Sequence, residues 1–251
     1  MISEIQNLTF KNNEDFNILR EYLKSQDSNK EFTHSIVPNL SKDSILGVRM
    51  GVIKDVSKSI KDNKINFLEN LDNPIYVEEI MIYSFVLGTI KEIEVFKKYL
   101  IKFLKFNNSW ISNDTSHCHK IYEKNNDEMY SFLINLINND EFKNLDKTYI
   151  YRYIIFIFMR FYGYKNPSYL KQNHKFILTI DHSEYYVKMM IAWYLQTIYI
   201  NNKQSVFDLL TELNDLEITK MTIQKIKDSK FSSTIDKKEA EEYKIQFMNT
   251  K

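Results

Sequence analysis

Residues 147–162 read Lys-Thr-Tyr-Ile-Tyr-Arg-Tyr-Ile-Ile-Phe-Ile-Phe-Met-Arg-Phe-Tyr. Between Lys147 and Arg160 the one charge is Arg152. A helix with apolar residues on every side belongs in the middle of a helical body, not on its surface. The run 149–159 is too short to span a bilayer and carries Arg152 inside it. Residues 184–200 form a second all-round apolar helix, with Lys188 as its internal charge. Two such helices predict an all-α fold with a thick apolar interior. Working outward, helical spacing of apolar residues predicts further helices at 13–25, 76–91, 92–105, 129–136, 206–213, 218–227 and 237–247. Another follows Ile45-Leu46-Gly47-Val48-Arg49 and ends near Asp62, with Gly47 at the tight turn into it. A shorter one ends at 176–180. The polar segment 26–44, which contains Pro38, reads as a loop or broken helix.

The chain of 251 residues has 4 Gly and 3 Pro, too few turn residues for an architecture of short strands. Helices joined by short polar loops fit better. About a dozen of them, in pairs of roughly 35–40 residues, match an α-α superhelix of HEAT-like repeats with a concave cleft. An irregular helical bundle is the competing architecture. We expect a single domain over 1–251, with a ragged leader at 1–12 and a tail at 248–251. The formal net charge of +1, from 34 basic and 33 acidic residues, does not announce a nucleic-acid partner. A solenoid can nevertheless gather its charge on one face. One cysteine excludes an internal disulfide. The N-terminus lacks a signal-peptide pattern, so a cytoplasmic monomer that makes no use of a membrane is expected. His117-Cys118-His119 is not a metal site, because consecutive helical residues point in different directions. No phosphate-binding glycine loop, nucleophile elbow or Cys-x-x-Cys is present, and neither cofactor nor metal is expected.

The stretch Asn108-Ser109-Trp110-Ile111-Ser112-Asn113-Asp114 sets an indole and a carboxylate four residues apart. On a helix they share one face. Read alone, a core Trp and a capping Asp would explain it. Arg152 and Trp193, on the two apolar helices, are matching oddities. A buried Arg must be paired, either by an internal carboxylate, Asp114 among them, or by a phosphate that takes its planar fork.

Five blocks then occur in order: Ile45-Leu46-Gly47-Val48-Arg49, Trp110-x-x-x-Asp114, Tyr149-x-x-Arg152, Tyr185-Tyr186-Val187-Lys188-Met189-x-x-Ala192-Trp193 and Ile223-Gln224-Lys225-Ile226-x-x-Ser229. This ordered set resembles the AlkD-like DNA alkylation repair family, built of HEAT-like repeats, over about residues 14–240. The first block departs from the family's usual continuation with Pro and then a basic residue. Here it runs Met50-Gly51-Val52-Ile53-Lys54.

The resemblance implies a glycosylase that releases cationic N3- and N7-alkylated purines from double-stranded DNA without flipping the base into a pocket. It also implies a second possibility, since some members are inactive: a non-catalytic helical-repeat protein that binds DNA structures or a protein partner. By the resemblance, Asp114, Trp110, Trp193 and Arg152 form the site. Arg152, Arg49, Lys188 and Lys225 would contact the DNA backbone. An alkylated purine is already cationic, so it leaves without a general acid. Asp114 would stabilise the oxocarbenium-like sugar. A carboxylate about 4 Å from that charge, at an effective dielectric near 20, contributes about 4 kcal/mol. That is roughly a thousandfold in rate. The two indoles would face the sugar, each desolvated contact contributing about 2 kcal/mol.

Overall fold

The computed structural model describes residues 2–115 and 119–249. It is all-α: the described residues hold helices and turns and no strand, with a single antiparallel bridge between Ser28 and Val48. The helices pack extensively on one another, several with the next helix but one along the chain, as in an array of helical repeats. The chain divides into two compact units, Met1–Met129 with Asp140–Leu145 and Tyr130–Asn139 with Asp146–Lys251.

In the first unit the helix Val77–Leu87 is central. Ten of its eleven residues are buried. The helices Met50–Ser59, Lys64–Asn70, Ile93–Phe106 and Trp110–Asp114 pack against it. Its first-turn acids would ordinarily face water and favour the positive end of the helix dipole. Both are buried instead, at 2 % for Glu78 and 0 % for Glu79. Glu79 is satisfied at once from two sides. Its carboxylate accepts from the backbone N–H of Ile75 and Tyr76 and from Arg20 Nε at 2.9 Å.

Glu78 accepts from the N–H groups of Leu46 (3.1 Å), Gly47 (2.6 Å) and Val48 (3.4 Å). It thereby holds the expected turn into the helix Met50–Ser59. Gly47 sits there at φ 82°, and a methyl at this position would collide with the backbone of Asn29 and Lys30. The 26–44 segment is a broken helix, with the turns Lys30–Ile36 and Lys42–Ser44. Residues 2–12, read from sequence as a leader, contain the helix Ile2–Gln6, and Ile5, Leu8 and Phe10 are buried. The Phe10 ring meets Phe16 and Phe67 at 5.2 and 5.1 Å, so these aromatics draw the segment into the core.

In the second unit the helix Tyr185–Tyr199 lies between Thr148–Ile157 and Leu216–Asp228, and the last packs against Thr234–Asn249. The continuous helix expected over 147–162 changes character at Phe158. Residues Phe158–Tyr162 form a wider π turn that stops at Gly163. The wider turn leaves Phe158, Met159, Phe161 and Tyr162 all buried. Arg160 stays exposed, its guanidinium 5.7 Å from the Phe156 ring centroid. Local polar residues set the helix ends. Asn202 accepts from Ser205 N, Asp215 accepts from Glu217 N and Ile218 N, and Asn214 takes the left-handed conformation between those two helices.

Candidate functional site

Ser109 begins the helix Trp110–Asp114 by accepting from Ile111 N. Trp110 and Asp114 stand at its two ends, and both are half-buried. The Trp110 indole N–H donates to the Ile36 carbonyl at 2.9 Å, and its ring packs against the cluster of Val37, Leu40, Ile45 and Val77. The indole is therefore held in one orientation by a hydrogen bond and by packing.

Asp114 belongs to a chain of side-chain hydrogen bonds. Ser112 Oγ donates to Asn107 Oδ1 at 2.6 Å. Asn107 Nδ2 donates to Asn113 Oδ1 at 3.0 Å. Asn113 Nδ2 donates to Asp114 Oδ1 at 3.1 Å. Asn107, Ser112 and Asn113 are buried. A fully satisfied buried polar network rigidifies what it holds, so this one aims the carboxylate. Those three residues were not among the sequence candidates. The available signal was the density of Asn and Ser at 107–113 beside an apolar helix.

In the second unit Arg152 is 4 % exposed. Its Nη1 donates to the Tyr186 carbonyl at 3.0 Å, next to the Tyr149 and Tyr186 rings, whose centroids are 5.8 Å apart. One arm of the fork expected at a phosphate is thus spent on the first turn of the helix Tyr185–Tyr199, the helix that carries Trp193.

Trp193 lies on the partly exposed face of its helix, with Met189, Gln196 and Thr197, while Ile191, Ala192, Tyr194 and Leu195 on the inner side are buried. Its ring is 6.4 Å from that of Phe156, and Lys225 Nζ stands 5.8 Å from its centroid. It opens on a recess of about 330 Å³ shared with Gln196, Ser229 and Phe231.

The remaining expected backbone contacts differ. Arg49 is exposed and paired with Asp27 at 2.5 Å. Lys188 lies between Glu217 (2.6 Å) and Asp215 (3.2 Å). The Glu217 carboxylate first, and Asp215 with it, hold its ammonium above the usual lysine range. The physical reason is its position: it faces the start of the helix Leu216–Asp228, where Asp215 is the cap and Glu217 stands in the first turn.

His117 and Cys118 of the rejected metal motif lie outside the described residues. Among the described residues no group of His, Cys, Asp and Glu could hold a metal ion, and no helix is long and apolar enough to cross a membrane.

Comparison with protein-family models, with characterised proteins and with solved structures found no match.

Proposed function

We propose that the protein is a DNA glycosylase that hydrolyses the N-glycosidic bond of cationic N3- and N7-alkylpurines in duplex DNA. Asp114 is the fixed anion. It stabilises the sugar cation that develops as the neutral base departs, and no proton need be delivered to the leaving group. Trp110, one turn away, offers an aromatic face to the sugar. Trp193 and Lys225 provide an aromatic and cationic contact to DNA. Arg152 acts chiefly by fixing the end of the Trp193 helix.

The observation that supports this reading best is the setting of Trp193, whose half-buried ring opens on a recess with Lys225 Nζ 5.8 Å from its centroid. The ordered set of five motifs supports it independently.

The test is release of free methylpurine from methylated duplex DNA, followed by chromatography. Wild-type protein should release it, and Asp114→Asn should lose about a hundredfold to a thousandfold of the rate at unchanged DNA affinity. Wild-type release no faster than spontaneous depurination would end the proposal.

One observation favours a second reading, a non-catalytic helical-repeat protein. Arg49 and Lys188, two of the four cations expected on the DNA backbone, are neutralised by carboxylates. That reading predicts binding to undamaged DNA or to a protein with no base release. Salt dependence separates the two partners, because phosphate contacts weaken steeply as salt rises.

A further inference from the structure

Two recesses in the first unit each gather three lysines, and they differ in what faces those lysines. The larger, about 730 Å³, contains Lys98, Lys102 and Lys105. Every ammonium there meets a carboxylate: Glu69 at 2.7 Å, Asp72 at 2.8 Å and Glu141 at 2.8 Å. These pairs tie helices together and leave no net charge to recognise a ligand.

The other recess, about 500 Å³, contains Lys91, Lys120 and Lys124 around a floor of Ile90 and Ile121. No carboxylate lines it among the described residues, and none of its three lysines forms an ion pair there. In a chain of net charge +1 this is a local concentration of three positive charges.

The backbone places them. The helix Val77–Leu87 closes through Gly88 N to Ser84 O, Thr89 N to Val86 O and Ile90 N to Leu87 O. Thr89 Oγ1 adds a bond to the Val86 carbonyl at 2.7 Å. This tightly wound end carries Lys91 on one rim. Lys120 and Lys124 are four apart on the helix His119–Lys124 and share one face. Both are exposed, and like charges at that spacing repel, a repulsion that an anion bound between them would offset.

We propose that this recess binds a phosphate-bearing ligand with two or more negative charges. The three ammonium groups engage phosphate oxygens, and the apolar floor of Ile90 and Ile121 receives the organic part. Phosphate suits three cations lining one recess better than a carboxylate does, because one group carries close to two charges and three acceptor oxygens at neutral pH. The volume lies in the range of small-molecule sites. None of these residues has a part in the glycosylase reading, so the assignment stands or falls separately from it.

The test is calorimetric titration of the full chain with pyrophosphate, ADP, adenosine and a short undamaged duplex, at low and moderate salt. Pyrophosphate and ADP should bind, adenosine should not, and affinity should fall as salt rises. The triple variant Lys91→Gln, Lys120→Gln, Lys124→Gln should lose on the order of tenfold or more in affinity. The corresponding triple Lys→Arg variant should keep it. Binding of the duplex, but of neither small phosphate, that is lost in the Gln variant identifies nucleic-acid phosphates as the source. The proposal is overturned if no phosphate-bearing probe binds. It is also overturned if every probe binds a Gln variant of unchanged thermal melt as tightly as the wild type.

Discussion

Glu78 is the residue on which the first unit's entry turn depends. It is 2 % exposed, and burial pushes its carboxyl above the usual range against the pull of the Leu46, Gly47 and Val48 amides. Glu78→Ala leaves those donors without their acceptor. Stability should fall by about 2–4 kcal/mol in urea unfolding, because buried unpaired amides keep their full desolvation cost.

His174 makes a second residue-scale prediction. Its ring stands edge-on to Tyr194 with centroids 6.0 Å apart, Nε2 is buried, and burial lowers its pKa from 6.5 to about 4. Between those values the unfolded chain takes up a proton that the folded chain refuses. The contribution is therefore complete above pH 6.5 and is lost as pH falls towards 4. The loss should be on the order of 2 kcal/mol, after discounting for partial exposure. His174→Phe should flatten the stability profile measured between pH 7 and 4; an unchanged slope would assign the acid sensitivity elsewhere. Gly47 was legible in the sequence, since a glycine just before a helical stripe implies a backbone turn. The role of Glu78 was not, because nothing local distinguishes a buried first-turn acid from a solvated one.

At the scale of elements, helices end where short polar residues can accept backbone N–H groups, as Asn12, Ser109, Asn202 and Asp215 do. The spacing of apolar residues made most boundaries readable to within a few residues. Two features were not. The π turn at Phe158–Tyr162 answers the need to bury four large side chains at once, which is a demand of the neighbours rather than of the local sequence.

The docking of the helix Thr234–Asn249 is likewise non-local. Phe207 stacks on Tyr243 at 4.2 Å and 11°, and Lys203 pairs with Asp236 (2.6 Å) and Glu239 (2.5 Å). Lys203 and the Ser233 groups hold the Asp236 carboxyl down to about 2. Exposed ion pairs contribute little, so the stacked rings should dominate. Phe207→Ala should cost about 2–3 kcal/mol. It should also speed amide exchange within Thr234–Asn249 before the rest of the unit opens, as read by hydrogen-exchange mass spectrometry.

For the molecule as a whole, Trp110 and Asp114 belong to one compact unit and Arg152 and Trp193 to the other. The sequence by itself determined the all-α class, the positions of most helices, the turn at Gly47 and the two apolar helices of the second unit. Each is set by interactions within a few residues: periodicity, capping and backbone preference. Only the tertiary structure decided the fate of the charged and aromatic candidates. It spent one arm of Arg152 on Tyr186, neutralised Lys188 with Asp215 and Glu217, left Trp193 half-exposed and brought Lys91, Lys120 and Lys124 to one recess that no carboxylate lines among the described residues. The physical reason is range. Burial and ion pairing depend on which distant residues arrive beside a side chain, and that information resides in the packing of helices rather than in the order of residues along any one of them.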